Sequence, residues 1–284
     1  MAPASYLNAK SLDLRVVDSS ALLSHEDHDR QRSLPLVEAL KRDGLLKNPP
    51  VVTPTGLNDG QYVMLDGANR IFALEALGIQ HTLVQVVPYE EPHVELLTWY
   101  HVVCDIPAAT LRHAIESVEG VTLEPASLTH ARGLLSARAI LAYYVQADGE
   151  VLTIAGGGLD LHERNRLLNG IAGSYMEIGT LYRNKTDSVS ELLSLYPGLT
   201  GAIIYPKYAP EEILDLAHNG MRVPPGLTRH IVHGRALRLN YPLERLGADI
   251  SLEEKNIELQ QWIQHKFQNR MVRYYAESTY LFDE

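Results

Sequence analysis

Cysteine is almost missing from this chain of 284 residues. Cys104 stands alone, so neither an internal disulfide nor a zinc site built from cysteines can form. The chain also lacks a run of about 18 apolar residues, which a membrane-spanning helix requires. Residues 1–10 contain one basic residue and no apolar core, which excludes a typical signal peptide. We therefore expect a cytoplasmic protein with no membrane partner.

Positive charge is also in deficit, because the formal net charge is −10. A protein that binds duplex DNA normally presents a basic face, so this balance disfavours nucleic acid as a partner. Small metabolites bind in pockets, so a negative net charge does not argue against them as ligands. Lys266, Arg270 and Arg273 recur at near-helical spacing. We interpret them as a solvated face or as a contact between copies in a homo-oligomer.

The periodicity of the first hundred residues predicts a compact α/β unit. Apolar residues alternate in strand fashion or recur at helical spacing in six segments. The predicted strands cover 12–17, 51–53, 62–65 and 82–87, and the predicted helices cover 33–41 and 69–77. Pro107 and the polar stretch 117–124 indicate a domain boundary near Ile106. We therefore predict domains at 1–105 and 106–284.

The remainder of the chain predicts a second domain of the α+β class. Helical patterns occur at 161–181 and, as a long amphipathic tail, at 251–274, whereas 228–238 alternates like a strand. Residues 90–103, which include Trp99, also have a helix-like pattern. The fold class predicted for the whole chain is thus mixed α and β.

The sharpest local signal is the turn from Asp66 to Arg70. An apolar strand ends, Gly67 permits a tight bend, and a helix begins at once. Unpaired amides at such a helix start, together with the helix dipole, form an anion site. Arg70 could add a forked donor for phosphate oxygens. The alternative is that Asp66 is a plain N-cap and Arg70 a surface charge.

Residues 16–87 resemble the ParB/sulfiredoxin superfamily, and within it the free L-serine kinase group. The group's turn is Asp-Gly-His-His-Arg, which stands here as Asp66-Gly67-Ala68-Asn69-Arg70. The resemblance implies a ParB/sulfiredoxin-like N-terminal domain that binds ATP or ADP at Gly67, Ala68, Asn69 and Arg70. Phosphoryl transfer also needs its charge offset, so we expect Mg²⁺, with Asp66 either holding that ion through water or orienting the substrate hydroxyl. No cysteine lies in the turn, which disfavours sulfinic-acid reduction.

Two further segments carry the resemblance. In the kinases a Glu after the first strand takes the proton from the serine hydroxyl, and Glu26 in Ser24-His25-Glu26 is the matching position. A Thr-Arg-His segment holds the serine carboxylate and amine, and it stands here as Thr228, Arg229 and His230. A Trp after the nucleotide domain, here Trp99, shapes the same pocket.

Each of these residues can also be explained by a structural role alone. Glu26 lies in a run of His and Asp residues, 25–29, that is typical of a solvated loop. Trp99 could be a core residue, and 228–230 could be a plain strand after the Pro224-Pro225-Gly226 turn. His25 and His28 could hold a metal ion with Asp27 and Asp29, although no second cluster completes such a site.

The function predicted is a small-molecule kinase that transfers the terminal phosphate of a nucleotide to free L-serine. A ParB-type transcriptional regulator is one alternative, but it requires a helix-turn-helix where residues 105–150 predict a helix and a β-hairpin. A second alternative is a degenerate member that senses nucleotide without turnover, because Ala68 and Asn69 replace the two family histidines.

Overall fold

The structure is a computed structural model that describes residues 12–26, 30–156 and 160–274. In chain order its strands are β1 (Leu14–Asp18), β2 (Leu22–Ser24), β3 (Leu45–Leu46), β4 (Val51–Pro54), β5 (Tyr62–Asp66), β6 (His81–Val86), β7 (Val94–Thr98), β8 (Tyr100–Cys104), β9 (Thr122–Pro125), β10 (Ala142–Gln146), β11 (Val151–Ala155), β12 (Thr180–Asn184), β13 (Leu199–Ile204), β14 (Thr228–Val232) and β15 (Tyr241–Pro242). Its helices are α1 (Arg30–Asp43), α2 (Ala68–Ala76), α3 (Ala108–Glu116), α4 (Leu128–Ser136), α5 (Leu161–Tyr175), α6 (Val189–Leu195), α7 (Pro210–His218), α8 (Leu243–Gly247) and α9 (Leu252–Gln268). The predicted mixed α and β class is confirmed.

The described residues group into two compact units. Unit 1 contains 12–24, 30–95 and 231–274, whereas unit 2 contains 25–26, 96–156 and 160–230. This division differs from the predicted boundary at 105/106 in three ways. The boundary lies at 95/96, so residues 96–105 belong to unit 2. The C-terminal stretch after residue 230 belongs to unit 1, because its side chains complete the core of that unit. Glu26, expected in the first domain, groups with unit 2.

Unit 1 is built on a five-stranded mixed sheet in the order β1-β6-β4-β5-β2. The pairs β2–β5 and β4–β6 are parallel, and the pairs β1–β6 and β4–β5 are antiparallel. Leu14 and Leu83 of the sheet and Leu74 of α2 are almost fully buried, and Leu259 and Ile263 of α9 join the same cluster. The tail helix is therefore part of this core rather than an appendage.

Helix α9 also closes an edge of that sheet. Ser251 and Glu254 form a capping box that fixes where the helix begins. One turn later, Asn256 Oδ1 accepts from the Val16 amide at 2.9 Å, and Asn256 Nδ2 donates to the Val16 carbonyl at 2.8 Å. Strand β1 lies at the edge of the sheet, so this side chain satisfies backbone groups that have no neighbouring strand.

Unit 2 contains a six-stranded antiparallel sheet in the order β12-β8-β13-β10-β11-β9. The prediction of a helix at 90–103 is wrong, because this segment forms β7 and β8. Strand β8 lies inside the sheet, and its residues His101 to Cys104 are buried in succession. A continuous apolar run of this length does not distinguish a buried strand from a buried helix.

Two predicted helices are also too long. The helix predicted at 161–181 ends at Tyr175, and 180–184 forms the edge strand β12. A Cβ at Gly179 would lie 3.0 Å from Val103 Cγ1, so a residue without a side chain lets the chain approach β8 here. The tail helix ends at Gln268, and the strand predicted at 228–238 ends at Val232. No described helix is both long and apolar enough to cross a membrane.

We predict that Asn256→Leu lowers the free energy of unfolding by about 2 kcal/mol, because it leaves the buried amide and carbonyl of Val16 without partners. Urea denaturation checks this value. Gln261→Leu, at an exposed position of the same helix, should change stability by less than about 0.5 kcal/mol. Equal losses in the two variants would contradict the role given to Asn256.

Candidate active site

The turn after β5 is built around a glycine that no other residue can replace without strain. Gly67 has φ 107° and ψ 18°, a left-handed conformation, and it is the residue that caps α2. A Cβ there would lie 2.8 Å from Pro50 Cβ and 2.9 Å from Pro50 Cα. Backbone conformation and close approach to Pro50 therefore both require glycine. Asp66 belongs to β5, so its interpretation as the N-cap is wrong.

The start of α2 offers backbone donors to an anion. The amides of Arg70 and Ile71 both bond to the carbonyl of Gly67, at 2.8 and 3.0 Å, so these bonds close the first turn. Gly67, Ala68 and Asn69 precede them, at the positions whose amides have no acceptor within a helix. No side chain caps this helix start. The geometry is that of a helix terminus suited to an anion.

Two arginines flank the Asp66 carboxylate. Arg70 Nη2 donates to Asp66 Oδ2 at 2.8 Å, and Arg70 Nη1 donates to the Asn48 carbonyl at 3.2 Å. Arg235, from the segment after β14, forms an ion pair with the same Asp66 oxygen. Two guanidinium groups against one carboxylate leave a surplus positive charge beside the helix start, which suits a phosphate.

Burial distinguishes these arginines from surface charges. It lowers the pKa of Arg70 to about 10, so the side chain stays cationic at neutral pH. Burial also lowers the pKa of Arg235, whose buried Nε atom has no hydrogen-bond partner among the described residues. The interpretation of Arg70 as a plain surface charge is therefore wrong. Arg235 was missed, because nothing in its local sequence connects it to a turn so distant in the chain.

Glu26 is held by a turn of unit 2. Its Oε2 accepts the hydroxyl of Thr228 at 2.7 Å, and its Oε1 accepts the amide of Gly226. The amide of Val223 donates to the His25 carbonyl at 2.8 Å and fixes the backbone beside it. The Glu26 side chain is 18% exposed. Glu26 is thus not part of a solvated loop, while Asp27, His28 and Asp29 lie outside the described residues.

Two histidines complete what we call the Glu26 cluster: His25, Glu26, Thr228 and His230. His25 Nε2 lies 2.9 Å from Thr228 Oγ1 and 4.0 Å from Glu26 Oε2. The His230 ring meets the His25 ring edge-on at 5.2 Å between centroids. Thr228 and His230 are two apart in β14, so both project to the same side of that strand.

Trp99 and Arg229 form a second group. The guanidinium of Arg229 lies over the Trp99 ring, 4.6 Å from its centroid, and the Trp99 amide donates to the Leu227 carbonyl at 2.8 Å. Trp99 is partly exposed, so it is not a core residue. The structure therefore brings all five predicted residues of unit 2 into two adjoining groups, with Arg229 projecting opposite to its strand neighbours.

Arg183 is a further cation that the sequence did not reveal. Its guanidinium lies against Gly226, where any Cβ would collide with it. Arg183 is exposed, and no described carboxylate lies within ion-pair distance of it. Burial, and after it the charge of Arg183, lowers the pKa of His101 to about 4, so that buried histidine is neutral. A cation that pairs with no described carboxylate thus lies beside the turn that holds Glu26.

Neither the turn from Asp66 to Arg70 nor the Glu26 cluster forms a metal site from protein side chains alone. Among the described residues, no three His, Cys, Asp or Glu side chains are grouped so that they could hold an ion. Asp66 is the one carboxylate at the phosphate turn in that part of the chain, and it faces two arginines. His28, the predicted metal partner of His25, lies outside the described residues.

The fold is shared with free serine kinases of known structure. It matches a free serine kinase in complex with AMP with a TM-score of 0.69, at 17% identity over 86% of this chain and 98% of that one. It matches SbnI with a C-terminal truncation, from Staphylococcus aureus, with a TM-score of 0.67 at 24% identity over 89% and 97%. No family model matches the sequence.

The similarity extends to curated sequences. The chain is 25% identical over 275 residues to the ATP-dependent L-serine kinase SbnI of Staphylococcus aureus, covering 95% of this chain and 97% of that protein. It is 22% identical over 246 residues to an ATP-dependent L-serine kinase of Desulfurococcus mucosus, covering 86% and 95%. These relatives confirm the predicted resemblance to L-serine kinases.

We predict that Gly67→Ala destabilises the protein more than Gly78→Ala does. Both glycines have positive φ, which costs an alanine about 1–2 kcal/mol. Gly78 has open space around it, whereas Gly67 faces Pro50, so Gly67→Ala carries an additional steric cost. Urea denaturation of the two variants checks the order. Equal losses would show that backbone conformation alone requires Gly67.

Proposed function

We propose that this protein is an ATP-dependent kinase of free L-serine, which forms O-phospho-L-serine and ADP. The observation that carries the proposal is the Glu26 carboxylate, largely buried and held by the Gly226 amide and the Thr228 hydroxyl. A carboxylate fixed in this way keeps lone pairs for a proton from an alcohol. The names of the relatives support the same activity.

The reaction needs one bond made and one broken at phosphorus. The serine oxygen forms a bond to the γ-phosphorus, the bond from that phosphorus to the β–γ bridging oxygen breaks, and ADP leaves. The serine hydroxyl loses its proton, and we assign that proton to Glu26. Catalysis of this kind rests on positioning and charge stabilisation, with the proton acceptor contributing about 10²–10⁴-fold.

We assign the nucleotide phosphates to the turn of unit 1. The amides of Gly67, Ala68 and Asn69 and the charges of Arg70 and Arg235 are the donors. The surplus charge of the two arginines offsets charge on the phosphate oxygens. Unit 1 would then be the ParB/sulfiredoxin-like nucleotide domain that the sequence predicted. The donor we propose is ATP, since the curated relatives are named ATP-dependent.

We assign the amino-acid acceptor to unit 2. A free amino acid carries a carboxylate and an ammonium group. Arg229 is the proposed partner for the carboxylate, and Trp99, on which it stacks, fixes the orientation of its guanidinium. His230 and Thr228 line the side that holds Glu26. Neutral hydrogen-bond partners around Glu26 leave its negative charge available to an ammonium group.

Mg²⁺ fits the nucleotide turn in the manner usual for phosphate enzymes. That ion commonly uses one or two carboxylates together with phosphate oxygens and water, and Asp66 is the carboxylate available. When bound, Mg²⁺ would neutralise part of the charge that develops on the phosphates. Asp66 is anchored by Arg70 and Arg235, which fixes its position for this role.

The alternative of a ParB-type regulator has no support in the fold. Helices α3 and α4 are separated by β9, which pairs with β11 in the antiparallel sheet of unit 2. They are therefore not the two consecutive helices of a helix-turn-helix. A nucleotide sensor without turnover shares the fold with a kinase, so an activity measurement distinguishes the two.

We predict that Glu26→Gln lowers the rate of phosphoserine formation from ATP and serine by about 10²–10⁴-fold. Glutamine keeps the shape of the side chain but cannot accept the proton. Affinity for ADP should be unchanged, because we assign the nucleotide phosphates to residues of unit 1 and Glu26 belongs to unit 2. Coupled detection of ADP and chromatography of phosphoserine give the rate, and calorimetry gives the affinity.

Glu253→Gln, at an exposed position of α9, is the matched control and should keep full activity. A wild-type protein that binds nucleotide but phosphorylates no hydroxy amino acid would establish the sensor in place of the kinase. Full activity in Glu26→Gln would remove Glu26 as the proton acceptor while leaving the kinase assignment intact.

We predict that Arg235→Met weakens ADP binding by about 10–100-fold, the loss expected for one charge-assisted hydrogen bond. Asp66 keeps Arg70 as its partner, so no carboxylate is left uncompensated. Arg42→Met, which changes an exposed arginine of the same unit, should have no effect. Calorimetric titration with ADP measures both. Unchanged affinity in Arg235→Met would remove Arg235 from the phosphate site.

A further inference from the structure

The hydroxyl of Thr228 lies between a carboxylate and an imidazole. Its Oγ1 is 2.7 Å from Glu26 Oε2 and 2.9 Å from His25 Nε2, both within hydrogen-bond distance. His25 and Glu26 are neighbours in the chain, so a two-residue segment binds the same hydroxyl from both sides. The mechanism proposed above gives His25 no role.

The chemistry of the three groups fixes the direction of both hydrogen bonds. An ionised carboxylate can only accept, so Thr228 donates its single hydroxyl hydrogen to Glu26. The Thr228 oxygen can then only accept from His25, which requires a hydrogen on Nε2. Both the Nε2–H tautomer and the imidazolium form of His25 satisfy this condition. The Nδ1–H tautomer would place two acceptors against each other.

We propose that His25 is a positioning residue, which donates from Nε2 to the Thr228 hydroxyl and thereby commits that hydroxyl's hydrogen to Glu26. The inference rests on the proposed function, because it gives a purpose to the orientation of Glu26. With Oε2 bound to Thr228 and Oε1 bound to Gly226, the carboxylate cannot rotate freely. Its remaining lone pairs are therefore fixed in direction, as the proton acceptor of the proposed reaction requires.

The surroundings of His25 suit this role. The residue is 6% exposed, so water does not compete well for its ring. The His230 ring packs edge-on against it and restricts its orientation, and the Val223 amide bonds to its carbonyl. Among the described residues, the His230 ring packs against His25 and Arg183 lies against Gly226. His101 lies beside Pro225 of the same turn.

A double-mutant cycle on His25 and Thr228 tests the proposal. His25→Leu should lower kcat for phosphoserine formation by about tenfold, the size of one hydrogen bond, with the KM for ATP unchanged. Thr228→Val should lower kcat at least as much. In the Thr228→Val background, His25→Leu should cause no further loss, because His25 acts through that hydroxyl. Additive losses would overturn the proposal.

A conservative variant separates hydrogen bonding from packing. His25→Gln retains a side-chain N–H donor and should recover kcat to within about threefold of wild type. His130→Leu, at an exposed histidine of the same unit, should leave kcat and thermal stability unchanged. A His25→Gln variant as slow as His25→Leu, with native stability in both, would show that donation from Nε2 is not what matters.

The tautomer can be measured without any activity. In ligand-free protein labelled with ¹⁵N-histidine, NMR should show the His25 Nε2 atom protonated at neutral pH, with the signal assigned by its loss in His25→Gln. An unprotonated Nε2 would overturn the proposal. A wild-type protein that makes no phosphoserine but shows a protonated Nε2 would instead count against the proposed function and leave the hydrogen-bond direction established.

Discussion

The arrangement of the Glu26 cluster depends on the hydrogen bonds that compensate the Glu26 carboxylate. A largely buried carboxylate is costly unless hydrogen bonds replace its lost water. The Pro224–Thr228 turn supplies these bonds, one from the Gly226 amide and one from the Thr228 hydroxyl. Gly226 has φ 75° and lies against Arg183, so a residue without a side chain is needed to present its amide. The turn and the acid therefore form one structural element, although 200 residues separate them.

The two carboxylates to which we assign roles, Glu26 in unit 2 and Asp66 in unit 1, have opposite surroundings. Neutral donors and a nearby histidine surround Glu26, whereas two guanidinium groups flank Asp66. Cations stabilise the ionised form of a carboxylate strongly, which suits an anchored residue beside phosphates and Mg²⁺. A residue that must accept a proton and later release it is better served by neutral partners. This contrast supports Glu26 rather than Asp66 as the proton acceptor.

Much of this arrangement was predictable where the signal is local. The strand, Gly67 and helix of the phosphate turn follow from residues that are adjacent in the sequence. Glu26, Trp99 and the 228–230 segment required a family resemblance, since their own patterns suit a loop, a core helix and a strand equally well. Arg183 and Arg235 gave no signal, because their roles arise from contacts with distant parts of the chain. The wrong prediction of a helix at 90–103 also arises from contacts with distant parts of the chain, since burial inside a sheet overrides local periodicity.

Ala68 and Asn69 depart from the family turn, and the effect depends on which groups of the turn we assign to phosphate binding. Backbone amides at a helix start do not depend on side chains, and alanine favours the helical conformation. The conformation of Gly67 and the anchoring of Asp66 by Arg70 are both retained. Arg235 adds charge from outside the motif, where no comparison of the turn alone would find it. The replacement of the two family histidines therefore changes side chains of the turn but leaves the charge and the amides to which we assign the phosphates. This favours an active kinase over a degenerate sensor.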